Sequence, residues 1–244
     1  MDFFARYASE KGLYLIFTTH SPHMIEKIPN DNIQMLIQNN EVSSVGHPLP
    51  TCDALTALGL KRNKNGILFV EDMSAKYFLE FLRKEFFHTP LLLDFDFVKL
   101  DGTGNIKKIL ETIPIKGHEQ SFIGVLDGDQ RGNYSSLNVV YLPTDAPPDK
   151  FIYDLTSASN FKSKVASILQ VNEQKLATAL DLNRGENFHD WPEKMSLSLN
   201  LPIDTFYYVL FKFWLDLNTE NKDAAYQLIR DISDKRNKSY MRAS

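Results

Sequence analysis

The sequence predicts an α/β protein: a mostly parallel sheet flanked by helices, preceded by a short α/β segment and followed by a helical lobe. Three observations predict it. Between Gly66 and Leu142 short apolar runs alternate with amphipathic stretches at the spacing of βαβ units. The runs Ile67 to Val70 and Phe122 to Leu126 are uninterrupted, as strands covered on both faces of a parallel sheet are. Past Pro147-Pro148 the runs stop and only helical periodicity continues.

The first element spans Asp2 to Glu10, where Phe3, Phe4, Tyr7 and Ala8 recur at helical spacing before Gly12. Leu13 to Phe17 is a continuous apolar, β-prone run and reads as a buried central strand. Ser21-Pro22 opens a short helix, with Ser as N-cap and Pro at the first position, ending before Pro29. Ile33 to Ile37 and Val42 to Val45 read as a hairpin around Asn39-Asn40. The segment 1–50 is thus one α/β piece, and 51–65, ending in the polar Lys61 to Asn65, is the expected linker.

Within 66–150, Ile67 to Val70, Phe95 to Leu100, Phe122 to Leu126 and Val139 to Leu142 are the expected strands. Ser74 is the expected cap of a helix whose Phe78, Phe81, Leu82 and Phe86 form one stripe, and Asn105 to Ile113 is the next helix, closed by Pro114. In 151–244 the segments Phe161 to Leu169, Glu173 to Leu182, Asp204 to Leu217 and Lys222 to Ile232 read as helices. Phe206 to Leu217 is apolar nearly all round, the mark of a helix buried at the centre of its lobe.

Composition bounds the function. At about 150 residues per domain, 244 residues make one or two domains. A single cysteine, Cys52, excludes an internal disulfide framework and a cysteine-cluster metal site, and suits a reducing compartment. Residues 206–217 are too few to span a bilayer, and no secretory signal opens the chain, so a cytoplasmic protein without membrane attachment is expected. The net charge of −4 offers no global basic field to nucleic acid. Yet 66–150 carries 13 acidic against 9 basic side chains while the flanking thirds balance, so the whole excess sits in the middle third.

Three of those carboxylates stand at strand ends. Glu71 follows Ile67–Val70, and Asp127-Gly128-Asp129 follows Phe122–Leu126, 56 residues later. In a parallel sheet both lie at the carboxyl edge, where α/β folds place their ligands. On an extended segment Asp127 and Asp129 share one face, with Gly128 leaving room for a ligand. Carboxylates converging without a basic partner call for a cation, and a hard ion such as Mg²⁺ (or Mn²⁺) suits them.

Phe69-Val70-Glu71, a helix, and Asp127-Gly128-Asp129 after an apolar strand resemble the Toprim domain of topoisomerases, bacterial primases and overcoming-lysogenization-defect (OLD) nucleases. The turn Gly102-Thr103-Gly104-Asn105 is similar to one of the OLD-like branch. Two positions depart from the pattern: Asp72 stands where Gly usually follows the glutamate, and Ala75 where a further acid is common. The resemblance implies Mg²⁺ or Mn²⁺ held by Glu71, Asp127 and Asp129, DNA as substrate, and phosphodiester hydrolysis as the reaction.

Leu15-Ile16-Phe17-Thr18-Thr19-His20-Ser21-Pro22 resembles the switch-histidine segment of ABC-type ATPases, in which the histidine meets the nucleotide γ-phosphate. An ABC-type end followed by Toprim is the order of OLD-family nucleases. The resemblance implies His20 as the nucleotide-binding residue, an oligomer in the complete protein, and antiviral defence as its setting. No Gly-x-x-x-x-Gly-Lys-Ser/Thr occurs, so ATP is expected to act only with a partner supplying the phosphate loop. The chain is accordingly expected to be a C-terminal portion, or a separately encoded subunit, of an OLD-like nuclease.

The same resemblance makes Asp149, after a proline-rich segment, an additional candidate ligand, an N-terminal helix acid being the plainer reading. It implies a catalytic lysine near the C-terminus, for which Lys235 and Lys238 are the candidates in the basic stretch 230–244. The similar His189-Asp190-Trp191 segment reads more simply as packing around Trp191. The competing function is a non-catalytic Toprim scaffold that binds an ATPase partner or DNA.

Overall fold

The computed structural model describes residues 2–25, 27–29, 32–34, 36–39, 42–45, 54–55, 66–86, 90–113, 120–134 and 136–241. Two compact units divide the chain, 1–63 and 64–244.

In the first unit, helix α1 (Asp2–Lys11) stops at Gly12, whose φ of +64° suits glycine, and the Leu13 N–H donates to the Ala8 carbonyl at 2.9 Å. Helix α2 (Pro22–Ile25) opens as expected at Ser21, whose carbonyl accepts from the Met24 and Ile25 N–H groups. Strands β1 (Leu36–Asn39) and β2 (Val42–Val45) form an antiparallel hairpin with Asn39 opposite Val42; the turn itself lies outside the described residues. Ile25, Ile33, Ala54 and Leu55 bury one another, so two residues of the expected linker belong to a core.

Leu13 to Phe17 corrects the sequence reading. The run is neither strand nor helix, and Tyr14 and Ile16 are 100% and 97% exposed. A strand apolar on both faces needs neighbours and cover on both sides. The two-stranded β1–β2 sheet supplies neither.

The second unit carries a four-stranded, all-parallel sheet: β3 (Gly66–Val70), β4 (Phe95–Lys99), β5 (Ser121–Leu126) and β6 (Val139–Tyr141), in the order β4-β3-β5-β6. Alternation along β3 sends Leu68 and Val70 to one face and Phe69 to the other. Helix α3 (Met73–Glu85) packs on the first face through Phe78 and Leu82, and α4 (Thr103–Thr112) on the second through Ile106 and Leu110. The chain leaves β3 toward β4 and leaves β5 toward β6, so the order reverses between β3 and β5. Their carboxyl ends form a topological switch point.

After β6 come α5 (Pro148–Asp154), α6 (Phe161–Leu169), α7 (Glu173–Leu182), α8 (Trp191–Leu199), α9 (Ile203–Leu217) and α10 (Thr219–Met241). These helices share one continuous hydrophobic core with α3 and the first sheet face, from Leu68 to Ile232. At its centre α9 buries Phe206, Leu210, Phe211 and Phe213, as its all-round apolar sequence requires. Among the described residues no helix is long and apolar enough to cross a membrane.

Candidate functional site

The switch point is built around Glu71, the first residue past β3. Its Oε1 accepts the backbone N–H of Asp127 at 2.9 Å, and its Oε2 accepts the Thr103 hydroxyl at 2.5 Å. One carboxylate therefore ties the ends of β3 and β5 to the start of α4. Thr103 lies in the Gly-Thr-Gly-Asn turn, which Asn105 braces by donating to the Leu100 and Asp101 carbonyls at 2.7 and 3.2 Å. The turn is legible as a motif, whereas the reach of Thr103 to Glu71 spans 32 residues and has no local signature.

Asp127 is the buried member, 6% exposed, and its Oδ1 is buried without a hydrogen-bond partner. Burial, reinforced by the charges of Glu71, Asp72, Asp129 and Asp149, pushes its carboxyl up to about 8. An unpaired buried carboxylate oxygen is costly and calls for a proton or a cation.

Two expectations about the Asp127-Gly128-Asp129 motif need correction. The segment does not stay extended: Gly128–Gln130 forms a 3-10 turn, so Asp127 points inward while Asp129 is exposed. Gly128 serves packing rather than ligand access, because a Cβ there would lie 1.6 Å from the Thr144 carbonyl oxygen.

Asp72, which the sequence marks only as a departure from a motif, caps α3 in place of Ser74. Its Oδ1 accepts from the Ala75 N–H at 2.8 Å and the Ser74 hydroxyl at 2.7 Å. It adds a further negative charge to the crevice.

Asp149, in the first turn of α5, is 6% exposed. Its Oδ1 accepts the Tyr207 hydroxyl at 2.6 Å, and its Oδ2 lies 3.2 Å from Nδ1 of His189. The candidate ligand is thus engaged by protein donors on both oxygens. Burial raises its carboxyl, opposed mainly by the Tyr207 hydrogen bond. The His189 ring lies 4.1 Å from that of Phe188, tilted by 41°, while Trp191 packs on Tyr153 and Phe206.

The C-terminal cations lie elsewhere. Lys235 donates to the Leu137 carbonyl at 3.3 Å, ahead of the start of β6, whereas the carboxylates stand at the opposite, carboxyl edge. It also lines a cavity of about 530 Å³ with Arg131, Tyr141, Gln227, Asp231 and Asp234. Arg236 pairs with Asp94 at 3.0 Å. The side chain of Lys238 lies outside the described residues. His20, in the first unit, is exposed and follows no strand; neighbouring Thr19 accepts the Ser21 N–H at 3.0 Å.

Glu71 and Asp127 are therefore brought together directly, and Asp72, Asp129 and Asp149 surround them electrostatically. Among the described residues no group of three His, Cys, Asp or Glu side chains is positioned to hold a metal ion as it stands. The donor set nevertheless fits a hard cation: all oxygen, all anionic, with one buried oxygen unpaired.

Fold and crevice together define an α/β protein with a cluster of carboxylates at the switch point of a parallel sheet. Compared with known protein families, curated proteins and solved structures, the chain matches none.

Proposed function

We propose that the chain is a metal-dependent DNA endonuclease or nickase module of the OLD type, acting at the crevice between β3 and β5. The observation that carries this reading is the unpaired, buried Oδ1 of Asp127 among five carboxylates at the switch point. Glu71, Asp127 and Asp129 are the residues that would hold Mg²⁺ or Mn²⁺. Such an ion, when bound, supplies an acidified water and positive charge for a leaving phosphodiester oxygen. Glu71 fixes the backbone of Asp127 and so presents its carboxylate, while Asp129 is exposed to solvent.

His20 acts on ATP, in this reading, only beside a partner that supplies the phosphate loop. The exposed apolar run Leu13 to Phe17 favours a second reading, a Toprim scaffold that binds such a partner without catalysis.

Supercoiled plasmid separates the two. The purified chain is expected to convert it to nicked or linear DNA with Mg²⁺ or Mn²⁺, and chelation is expected to stop the reaction. Cleavage that Asp127→Asn leaves intact would rule out the metal core, and no cleavage with either ion would favour the scaffold.

A further inference from the structure

Forty residues separate Asp149 from His189, and the fold joins them in one hydrogen bond of 3.2 Å. Asp149 also takes a hydrogen bond from Ser74, whose hydroxyl donates to Asp72 at 2.7 Å, so the pair stands beside the N-terminus of α3, next to Glu71.

The imidazole is held with unusual care for an exposed group. Its Nδ1 faces buried Asp149, which Tyr207 fixes in turn with a 2.6 Å hydrogen bond. Its ring rests on Phe188, 4.1 Å between centroids, and its backbone N–H donates to Asn187 Oδ1 at 3.0 Å. Even so, the side chain is 56% exposed. Ordering a side chain costs entropy, and this one recovers little by burial. In the tautomer whose Nδ1–H donates to Asp149, Nε2 of the neutral ring is left as an acceptor. Among the described residues nothing hydrogen-bonds to Nε2.

We propose that His189 is a catalytic residue of the nuclease site, its Nε2 accepting a hydrogen bond from the water that attacks the phosphodiester, with Asp149 and Tyr207 as positioning residues. This rests on the nuclease reading above. As the water oxygen bonds to phosphorus, its O–H bond breaks and the proton passes to Nε2. The P–O bond to the leaving strand breaks, its oxygen takes a proton from solvent, and the imidazolium returns one to solvent.

The test uses the full chain, supercoiled plasmid and Mg²⁺. His189→Ala is expected to lower kcat about a hundredfold or more, with KM for the plasmid and binding of Mn²⁺ unchanged. His189→Gly is expected to regain part of the rate with added imidazole, a response that a merely structural histidine does not give. Tyr207→Phe, which keeps the packing, is expected to lower kcat by a smaller factor. Wild-type rates from His189→Ala, a loss of Mn²⁺ binding in that variant, or no imidazole rescue would overturn this inference and leave the nuclease reading standing. A wild-type chain that cuts no plasmid would overturn both.

Discussion

Asp127→Asn is expected to lower metal-dependent cleavage at least a hundredfold while leaving the fold intact and flattening the dependence of stability on pH. Removing even an outer-shell partner of a metal costs about 10- to 100-fold, and Asp127 is the anchor of the proposed site. The stability effect has its own physics. In the unfolded chain this carboxyl titrates near 3.8, and in the folded chain burial and four neighbouring carboxylates push it to about 8. Between those values the native state holds a proton that the unfolded state has lost. Its contribution to stability is therefore complete below about pH 4 and is lost as pH rises through about 8. Asparagine mimics the protonated acid and has no such transition. Thermal melts of the metal-free proteins from pH 5 to 9 check this: the wild type should lose stability relative to the variant as pH rises. Parallel curves would contradict the buried, unpaired carboxylate.

Phe211→Ala is expected to have the largest effect on stability, a loss of about 3–5 kcal/mol. Phe211 is fully buried, and its ring meets Phe78 at 5.0 Å edge-on and Phe81, Phe151 and Tyr207 at 5.6 to 5.8 Å. Those rings belong to α3, α5 and α9, so the cavity would open where α9 packs against α3 and α5. Against a typical total of about 5–15 kcal/mol, such a loss brings a domain near its unfolding threshold. The effect should also reach the site, because Tyr207 holds Asp149 and Phe151 lies two residues beyond it. Urea unfolding measures the loss; a change below about 1 kcal/mol would mean that the aromatic cluster is not the centre of the core.

The sheet was readable from sequence because its central strands β3 and β5 are covered on both faces and so are written as unbroken apolar runs, while edge strand β4 alternates Phe95 and Phe97 with exposed Asp96. Glu71 and Asp127 were readable for the related reason that parallel strands collect ligands at their carboxyl ends. The same apolar pattern misled at Leu13 to Phe17, since a run of residues states a need for burial and not where the cover comes from. Helix α8 escaped notice because Pro192, Ser196 and Ser198 interrupt its apolar pattern, although Trp191 and Met195 are fully buried. Helix α5 is too short, at seven residues, to declare a period. The inward turn of Asp127 away from Asp129 comes with the 3-10 turn Gly128–Gln130, where the Gly128 backbone approaches Thr144 too closely for a side chain. The Asp149–His189–Tyr207 constellation joins three separate helical regions, and contacts of 40 and 58 residues' separation leave no trace in local sequence.

The central claim is that the carboxylates between β3 and β5 form a divalent-cation site, and the binding of Mn²⁺ tests it most directly. Calorimetric titration of the full chain at pH 8.5, above the value of about 8 to which the Asp127 carboxyl is pushed, should show saturable binding. Asp127→Asn should abolish it, and His189→Ala should leave it unchanged. Saturable binding that survives Asp127→Asn, or no binding by the wild-type chain, would contradict the account.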